Sequence, residues 1–308
     1  MKGPLFYAKI LLFGEYGIIK DSKGLAIPFN TYRGALKTAE RLSEKAAQSN
    51  KNLKKYYNYL NGLESDLVSF DLQKFNADIE NGMYFDSSIP QGYGVGSSGA
   101  LVASIYDKYA NDKITVLENL TRDKLLILKQ IFSIMESFFH GNSSGLDPLN
   151  SYLSLPILIN SKNNLEPAGI PSQKEGKGAV FLLDSEKIGE TAPMVQIFMD
   201  KMKNEGFRKM ISEEFAKITD ACIDDFLHGN VKSLFGNVKD LSKIVLKNFK
   251  PMIPKAFHKV WEHGIASNDY YLKLCGSGGG GYILGFAQDF EKAKISLKDY
   301  KLELVYRF

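Results

Sequence analysis

Only two cysteines stand in the 308 residues, Cys222 and Cys275, and no paired spacing joins them to a framework. A small disulfide-stapled secreted scaffold is therefore excluded, and a reducing cytoplasm fits this usage best. The four histidines, His140, His228, His258 and His263, make no metal-ligand pattern with those cysteines, which removes the zinc modules. Long apolar runs are missing as well. No stretch reaches the roughly 18 apolar residues of a spanning helix, so no membrane partner is expected. The run after Met1-Lys2-Gly3-Pro4 superficially resembles a signal peptide, but Lys9 interrupts it and Gly14-Glu15 ends it early. Charge of one sign is not in excess either: 39 Lys and Arg face 35 Asp and Glu, a formal +4 spread along the chain. That balance argues against nucleic acid, while a locally positive site for an anionic ligand stays compatible with it.

What is present is ordinary for a soluble globular protein, with 44% hydrophobic and 24% charged residues. The length is comfortable for two domains. Apolar periodicity lapses over 161–177, where Gly, Pro, Lys and Asn dominate, so the expected domains are 1–172 and 173–308. The expected class is α+β, because the C-terminal part reads as helices followed by strand, glycine loop, strand, helix and strand.

The stretch 90–100, Pro-Gln-Gly-Tyr-Gly-Val-Gly-Ser-Ser-Gly-Ala, carries the strongest chemical signal. Its glycines allow close backbone approach, and two serines follow where a helix is expected to begin. The first-turn amides of a helix have no partners within it, and the macrodipole adds positive potential there, so an anion is favoured. Taken alone, the loop reads equally well as a flexible surface loop with an N-capping serine.

Periodicity places the other candidates. Residues 6–13 read as a buried strand with Lys9 in its middle, and 25–29 as its partner, leaving Glu15 and Tyr16 in the intervening loop. A lone lysine there more often snorkels to solvent than finds an anion. Residues 34–63 read as a solvated helix with a turn, 67–72 as a short strand, 71–81 as a short helix and 99–110 as an amphipathic helix. A further helix starts at Thr121 as N-cap and runs to His140, with Leu125, Leu128, Phe132, Met135 and Phe139 on its apolar side and Glu136 at the border. An isolated glutamate in that place is usually a rim residue. Residues 141–148 read as a polar turn ending in Asp147, and 151–160 as a strand. Beyond the boundary, strands at 179–183, 270–275, 282–286 and 302–308 alternate with helices at 193–204, 207–227, 231–249, 254–263 and 289–297, the helix at 254–263 closing with Gly264. A second glycine run, 276–281, joins two of those strands.

Four segments match one family's motifs in order: 9–28 (Lys-Ile-Leu-Leu-Phe-Gly-Glu-Tyr, then Gly-Leu-Ala-Ile-Pro), 90–100, 136–151 and 273–281. Together they resemble the GHMP kinases, and the blocks Glu-Ser-Phe-Phe-His-Gly-Asn-Ser-Ser-Gly-Leu-Asp and Lys-Leu-Cys-Gly-Ser-Gly-Gly-Gly-Gly look most like mevalonate kinases. The resemblance implies the two-domain GHMP kinase fold, with a ribosomal-protein-S5-domain-2-like N-terminal domain, a ferredoxin-like C-terminal domain and an active site in the cleft between them. It implies ATP and Mg²⁺, a small-molecule acceptor, mevalonate first, and a place in isoprenoid biosynthesis; a homodimer is compatible with it. Gly92, Gly94, Val95, Gly96, Ser97, Ser98, Gly99 and Ala100 would hold the ATP phosphates. Ser98 and Glu136 would ligate Mg²⁺. Asp147 would accept or orient the acceptor hydroxyl's proton, and Lys9 would pair with Asp147 and bring positive charge to the transferring phosphoryl group. Glu15, Tyr16, His140, Ser144, Gly278 and Gly279 would surround the acceptor.

The chain departs from the family pattern at three points. Tyr16 stands where mevalonate kinases usually have His and looks more like phosphomevalonate kinases, Gly99 replaces the usual Ala after the serines, and Ser151-Tyr152-Leu153 stands where a Gly-Gly pair often follows. The loop also fits G-x-G-x-x-G, but no apolar strand leads directly into it and no ribose-binding acid follows, which disfavours a nucleotide-dependent oxidoreductase. No Lys-Ser/Thr follows its glycines, so it is not a Walker A loop. A decarboxylase of the superfamily has a different N-terminal motif, and a non-catalytic nucleotide sensor would not need the Lys9, Ser98, Glu136 and Asp147 set.

Overall fold

Strand β1 (Phe6–Phe13) is continuously apolar apart from Lys9 and is almost wholly buried, as a run with no alternation requires. The computed structural model describes residues 4–20, 22–115, 120–173 and 175–308. It falls into two units interleaved along the chain rather than divided by one cut. The first takes the chain up to Lys9, then Pro28–Pro90 and Gly96–Leu155; the second takes Ile10–Ile27, Gln91–Val95 and Pro156–Phe308.

In the first unit the latter half of β2 (Gly24–Thr38) pairs antiparallel with β3 (Met83–Ser87), in the register Gly34 to Ser87 through Thr38 to Met83. This corrects the helix expected from residue 34. The lysine- and tyrosine-rich composition is overridden by a strand partner, with Lys37 closing on Asp86 at 2.6 Å, and α1 starts only at Glu44–Asn61 behind the Ser43 N-cap. The strand expected at 67–72 reduces to a single bridge from Phe70 to Ala110, because Asp71 is taken as the N-cap of α2 (Leu72–Glu80). Helices α3 (Ser97–Tyr109), α4 (Arg122–His140) and α5 (Leu146–Leu153) pack together around Tyr106, Phe132 and Tyr152, whose rings meet edge to face at 5.0 to 5.6 Å. Leu125, Leu128, Phe132 and Met135 bury the expected face of α4, whereas Phe139 is exposed.

Helix α5 is the correction that matters most. The strand expected from residue 151 does not begin there: Ser151 lies inside a helix that Ser154 ends in the left-handed conformation. Pro148 sits in the first turn, where its missing N–H removes no helical bond, so the sequence that reads as a turn is equally suited to start a helix.

In the second unit β4 (Ile157–Ser161) pairs with β5 (Asn164–Pro167) and with Gly24–Ala26 of β2. A four-stranded antiparallel sheet has the order β7 (Tyr271–Leu274), β8 (Tyr282–Ala287), β6 (Ala179–Asp184), β9 (Leu302–Arg307). The remaining helices are α6 (Thr191–Lys201), α7 (Glu205–Met210) running through a π-turn into α8 (Ala216–His228), α9 (Val231–Asn248), α10 (His258–Ser267) and α11 (Phe290–Ser296). Gly264 does not close α10 as expected. It lies against the Tyr270 ring, and the helix runs on to Ser267 with Asn268 as its left-handed cap. Among the described residues no helix is long and apolar enough to cross a membrane.

Candidate active site

Lys9 is 6% exposed in the middle of β1. An ammonium so buried needs a partner, and the Asp147 carboxylate stands 2.9 Å from its Nζ. Asp147 is in the first turn of α5, where a negative charge is favoured by the unpaired amides. One turn later Ser151 donates to the Tyr7 carbonyl at 2.8 Å, two residues before Lys9 on the same strand. Helix α5 is thus tied to β1 at two points, and the second fixes the reach of the first.

Glu136, expected at a rim, is 3% exposed. Its carboxylate accepts from Ser98 Oγ at 2.9 Å and from Ser143 Oγ. Ser143 in turn accepts from the Gly145 N–H at 3.1 Å, while Ser133 Oγ donates to the Ser143 carbonyl. The hydroxyl of Ser143 therefore links the carboxylate on α4 to the start of the helix that carries Asp147. Burial, with the charge of Asp147 adding to it, pushes the Glu136 carboxyl up to about 7; the two serine bonds and Lys9 offset part of that rise.

Helix α3 follows Gly96, which is in the left-handed conformation and, as glycine, offers no side-chain cap to the first-turn amides. A Cβ on Gly96 would lie 3.0 Å from Lys9 Cγ and 3.7 Å from an Asp147 carboxylate oxygen, which puts the ion pair beside this helix start. Gly99 answers to sterics. A Cβ there would stand 2.7 Å from the carbonyl carbon of Asp147 and from the nitrogen of Pro148, so the backbone of α5 runs against α3 where an alanine would hold it off. Ser97 opens the helix half-buried, and Ala100 is buried beneath it.

The earlier half of the glycine loop belongs to the second unit. Its Gly92 carbonyl accepts from the Gly189 N–H at 2.9 Å, and a Cβ on Gly94 would lie 2.6 Å from the Cys275 carbonyl oxygen. Val95 is buried. In this unit too, Glu15 forms a buried ion pair with Lys273, and Tyr16 donates to the Ser277 carbonyl at 2.6 Å. The Gly279 N–H donates to the Met252 carbonyl at 2.6 Å, and Gly278 is packed against the same residue. Ser144 is exposed and accepts from the Leu146 N–H at 3.4 Å. His140 ends α4, and its side chain lies outside the described part of the structure.

No family model and no curated protein sequence matches the chain. Solved structures do. An L. major mevalonate kinase in complex with R-mevalonate superposes with a TM-score of 0.63 at 15% identity, covering 97% of this chain and 93% of that one. A Streptococcus pneumoniae phosphomevalonate kinase in complex with phosphomevalonate and AMPPNP gives 0.62 at 14% identity over 98% of both chains. A Lactococcus lactis galactokinase complexed with galactose gives 0.60 at 13% identity over 98% and 92%. The chain has the two-domain GHMP-kinase fold. Its neighbours in that fold act on different acceptors, so the likeness carries the architecture and leaves the acceptor to the residues.

Within this GHMP fold, the sequence-predicted residues Lys9, Gly96, Ser98, Gly99, Glu136 and Asp147 come together in the first unit, while Gly92, Gly94, Val95, Glu15, Tyr16, Gly278 and Gly279 lie in the second. Two participants escape sequence reasoning. Ser143 falls within 141–148, which reads only as a polar turn, although a Ser-Ser-Gly preceding an acidic helix start is where side-chain hydroxyls take backbone and carboxylate partners. Lys273 is the one charge in an apolar strand, the same signal that singled out Lys9, and it calls for an acid such as Glu15.

Proposed function

We propose that this chain is an ATP-dependent small-molecule kinase that transfers the γ-phosphoryl group to the hydroxyl of mevalonate in the cytoplasm. The observation that carries this reading is the Lys9–Asp147 ion pair beside the uncapped N-terminus of α3, with Ser98 and Glu136 joined next to it. ATP is supported as the donor because a helix start without a side-chain cap, flanked by glycines, favours phosphate oxygens.

Glu136 and Ser98 fit Mg²⁺ by the chemistry of their donors, a carboxylate and a hydroxyl, both hard oxygens. When bound there, the ion would neutralise phosphate charge. The chain's own residues do the rest. Asp147 orients the acceptor hydroxyl and takes its proton. Lys9 holds the Asp147 carboxylate in place and contributes positive charge where the transferring group spreads negative charge over its oxygens. The amides of the first turn of α3 fix the phosphates, and fixed position with charge neutralisation is most of what phosphoryl transfer asks of a protein.

ADP release measured with mevalonate, phosphomevalonate, galactose and homoserine as separate acceptors, with Mg²⁺ and with chelator, tests the reading. Turnover with mevalonate that stops on chelation is the expected result. Turnover with phosphomevalonate alone would reassign the acceptor, and ADP release with none of the four would refute the kinase assignment.

A further inference from the structure

The side chains of Glu15 and Tyr16 are both engaged by other parts of the second unit. Glu15 is 5% and Tyr16 6% exposed. The Tyr16 ring is stacked on Phe198 at 4.7 Å and tilted against Phe249 at 5.6 Å. Its backbone is left-handed, φ +60°, an unfavourable state for a tyrosine that surrounding contacts must hold. Two polar contacts of the pair reach one segment. Glu15 binds Lys273, the third residue of β7, and Tyr16 Oη binds the carbonyl of Ser277, four residues further on. Lys273 is itself 2% exposed and also donates to the Leu274 carbonyl at 2.9 Å. The two bonds therefore bracket Cys275 and Gly276, the entry to the second glycine run, whose residues Gly276, Gly278, Gly279 and Gly281 all have positive φ and no conformational preference of their own. Burial, with Glu15 adding to it, raises the phenol, so the hydroxyl stays a donor.

We propose that Glu15 and Tyr16 are positioning residues, a clamp that sets the conformation of the glycine run 276–281 from its entry, and that neither contacts the phosphoryl acceptor. The kinetic consequence rests on the kinase reading above; the conformational one does not. Tyr at position 16 then supplies a hydroxyl aimed at a backbone carbonyl rather than a group that selects between mevalonate and phosphomevalonate.

Tyr16→Phe keeps the ring packing and removes only the bond to Ser277. Amide hydrogen exchange in the full chain, followed by mass spectrometry, is expected to speed about 5- to 10-fold over 276–281, the equivalent of one lost hydrogen bond, with the peptides of α3 unchanged. Glu15→Gln is the second variant and should quicken exchange over the same peptide. In the assay above, Tyr16→Phe should lower kcat by a similar factor with the acceptor KM within about 2-fold, because a displaced loop misplaces groups without removing an acceptor contact. Unchanged exchange over 276–281 in Tyr16→Phe overturns the clamp, whatever the enzyme's activity. An acceptor KM raised 5-fold or more at constant kcat overturns it as well. If the wild-type chain transfers no phosphoryl group but the exchange changes, the clamp stands and the kinase reading falls.

Discussion

Replacing Glu136 by Gln should stabilise the ligand-free protein and the gain should grow with pH. The carboxylate is nearly sealed from solvent, faces Asp147, and is held up to about 7 against an ordinary value of 4.5. Below pH 4.5 both folded and unfolded chains carry the proton. Between 4.5 and 7 the folded chain keeps a proton that the unfolded chain releases, so this group's contribution is fully present at low pH and is lost as pH rises through 7. Applying that linkage, Glu136 costs the wild type about 2 to 3 kcal/mol more at pH 8 than at pH 5. Gln has no such dependence, and its amide can still accept from Ser98.

The assay is urea unfolding of wild type and Glu136→Gln at pH 5 and pH 8, with extrapolation to water. Circular dichroism is the right probe, since the single tryptophan, Trp261, is buried in the second unit and Glu136 belongs to the first. The stability gap between variant and wild type should widen by about 2 to 3 kcal/mol from pH 5 to pH 8. A gap that stays constant or narrows refutes the argument that this charge is buried against its own preference. The same variant should lose Mg²⁺-dependent turnover, because a neutral amide replaces the hard anionic donor.

Asp147→Asn should keep the fold and ATP binding while turnover falls about 100- to 10,000-fold, the usual range for a proton-transfer group; near-normal kcat would remove Asp147 from its role. Gly99→Ala forces a methyl to within 2.7 Å of the α5 backbone, so a loss of about 1 to 3 kcal/mol in urea unfolding is expected, with turnover falling alongside. Unchanged stability would show that α3 and α5 separate freely. Ser143→Ala removes a hydrogen bond from the charged form of Glu136 and should raise the Mg²⁺ concentration for half-maximal turnover several-fold, measured by titration at fixed ATP. Ser151→Ala should cost about 1 kcal/mol in urea unfolding through loss of its bond to Tyr7.

The legible parts of the chain were those where one local rule acted without competition. Thr121 before an apolar period of 3.6 gave α4 with its cap, and the unbroken apolar run of 6–13 gave β1. The run 34–38 reads as helix because its strand pairing with 83–87 is held by residues about 45 to 53 positions away, and composition near it favours helix. The depth of Glu136 was hidden for the same reason: periodicity puts a residue at the border of a face, and only the arrival of Ser98 and Ser143 from other segments decides that the border is covered.

Gly99 shows how a departure from a family pattern can be read once its neighbours are known. By motif alone it looks like a weakened helix start, since glycine in a first turn costs stability relative to alanine. In the fold it is the place where the backbone of α5 presses on α3, and α5 also carries Asp147 toward Lys9 and, through Gly145 and Ser143, steadies Glu136. Ser151, likewise a departure, anchors α5 from its other side on Tyr7. The two unusual residues therefore act on one helix, and a chain with Ala at 99 would have to hold Asp147 further from Ser98. This makes a specific demand: in Gly99→Ala, a second substitution that shortens the side of α5 facing α3 cannot restore the contact, because the clash is with backbone atoms of Asp147 and Pro148. Recovery of both stability and turnover by any such side-chain change would contradict that reading.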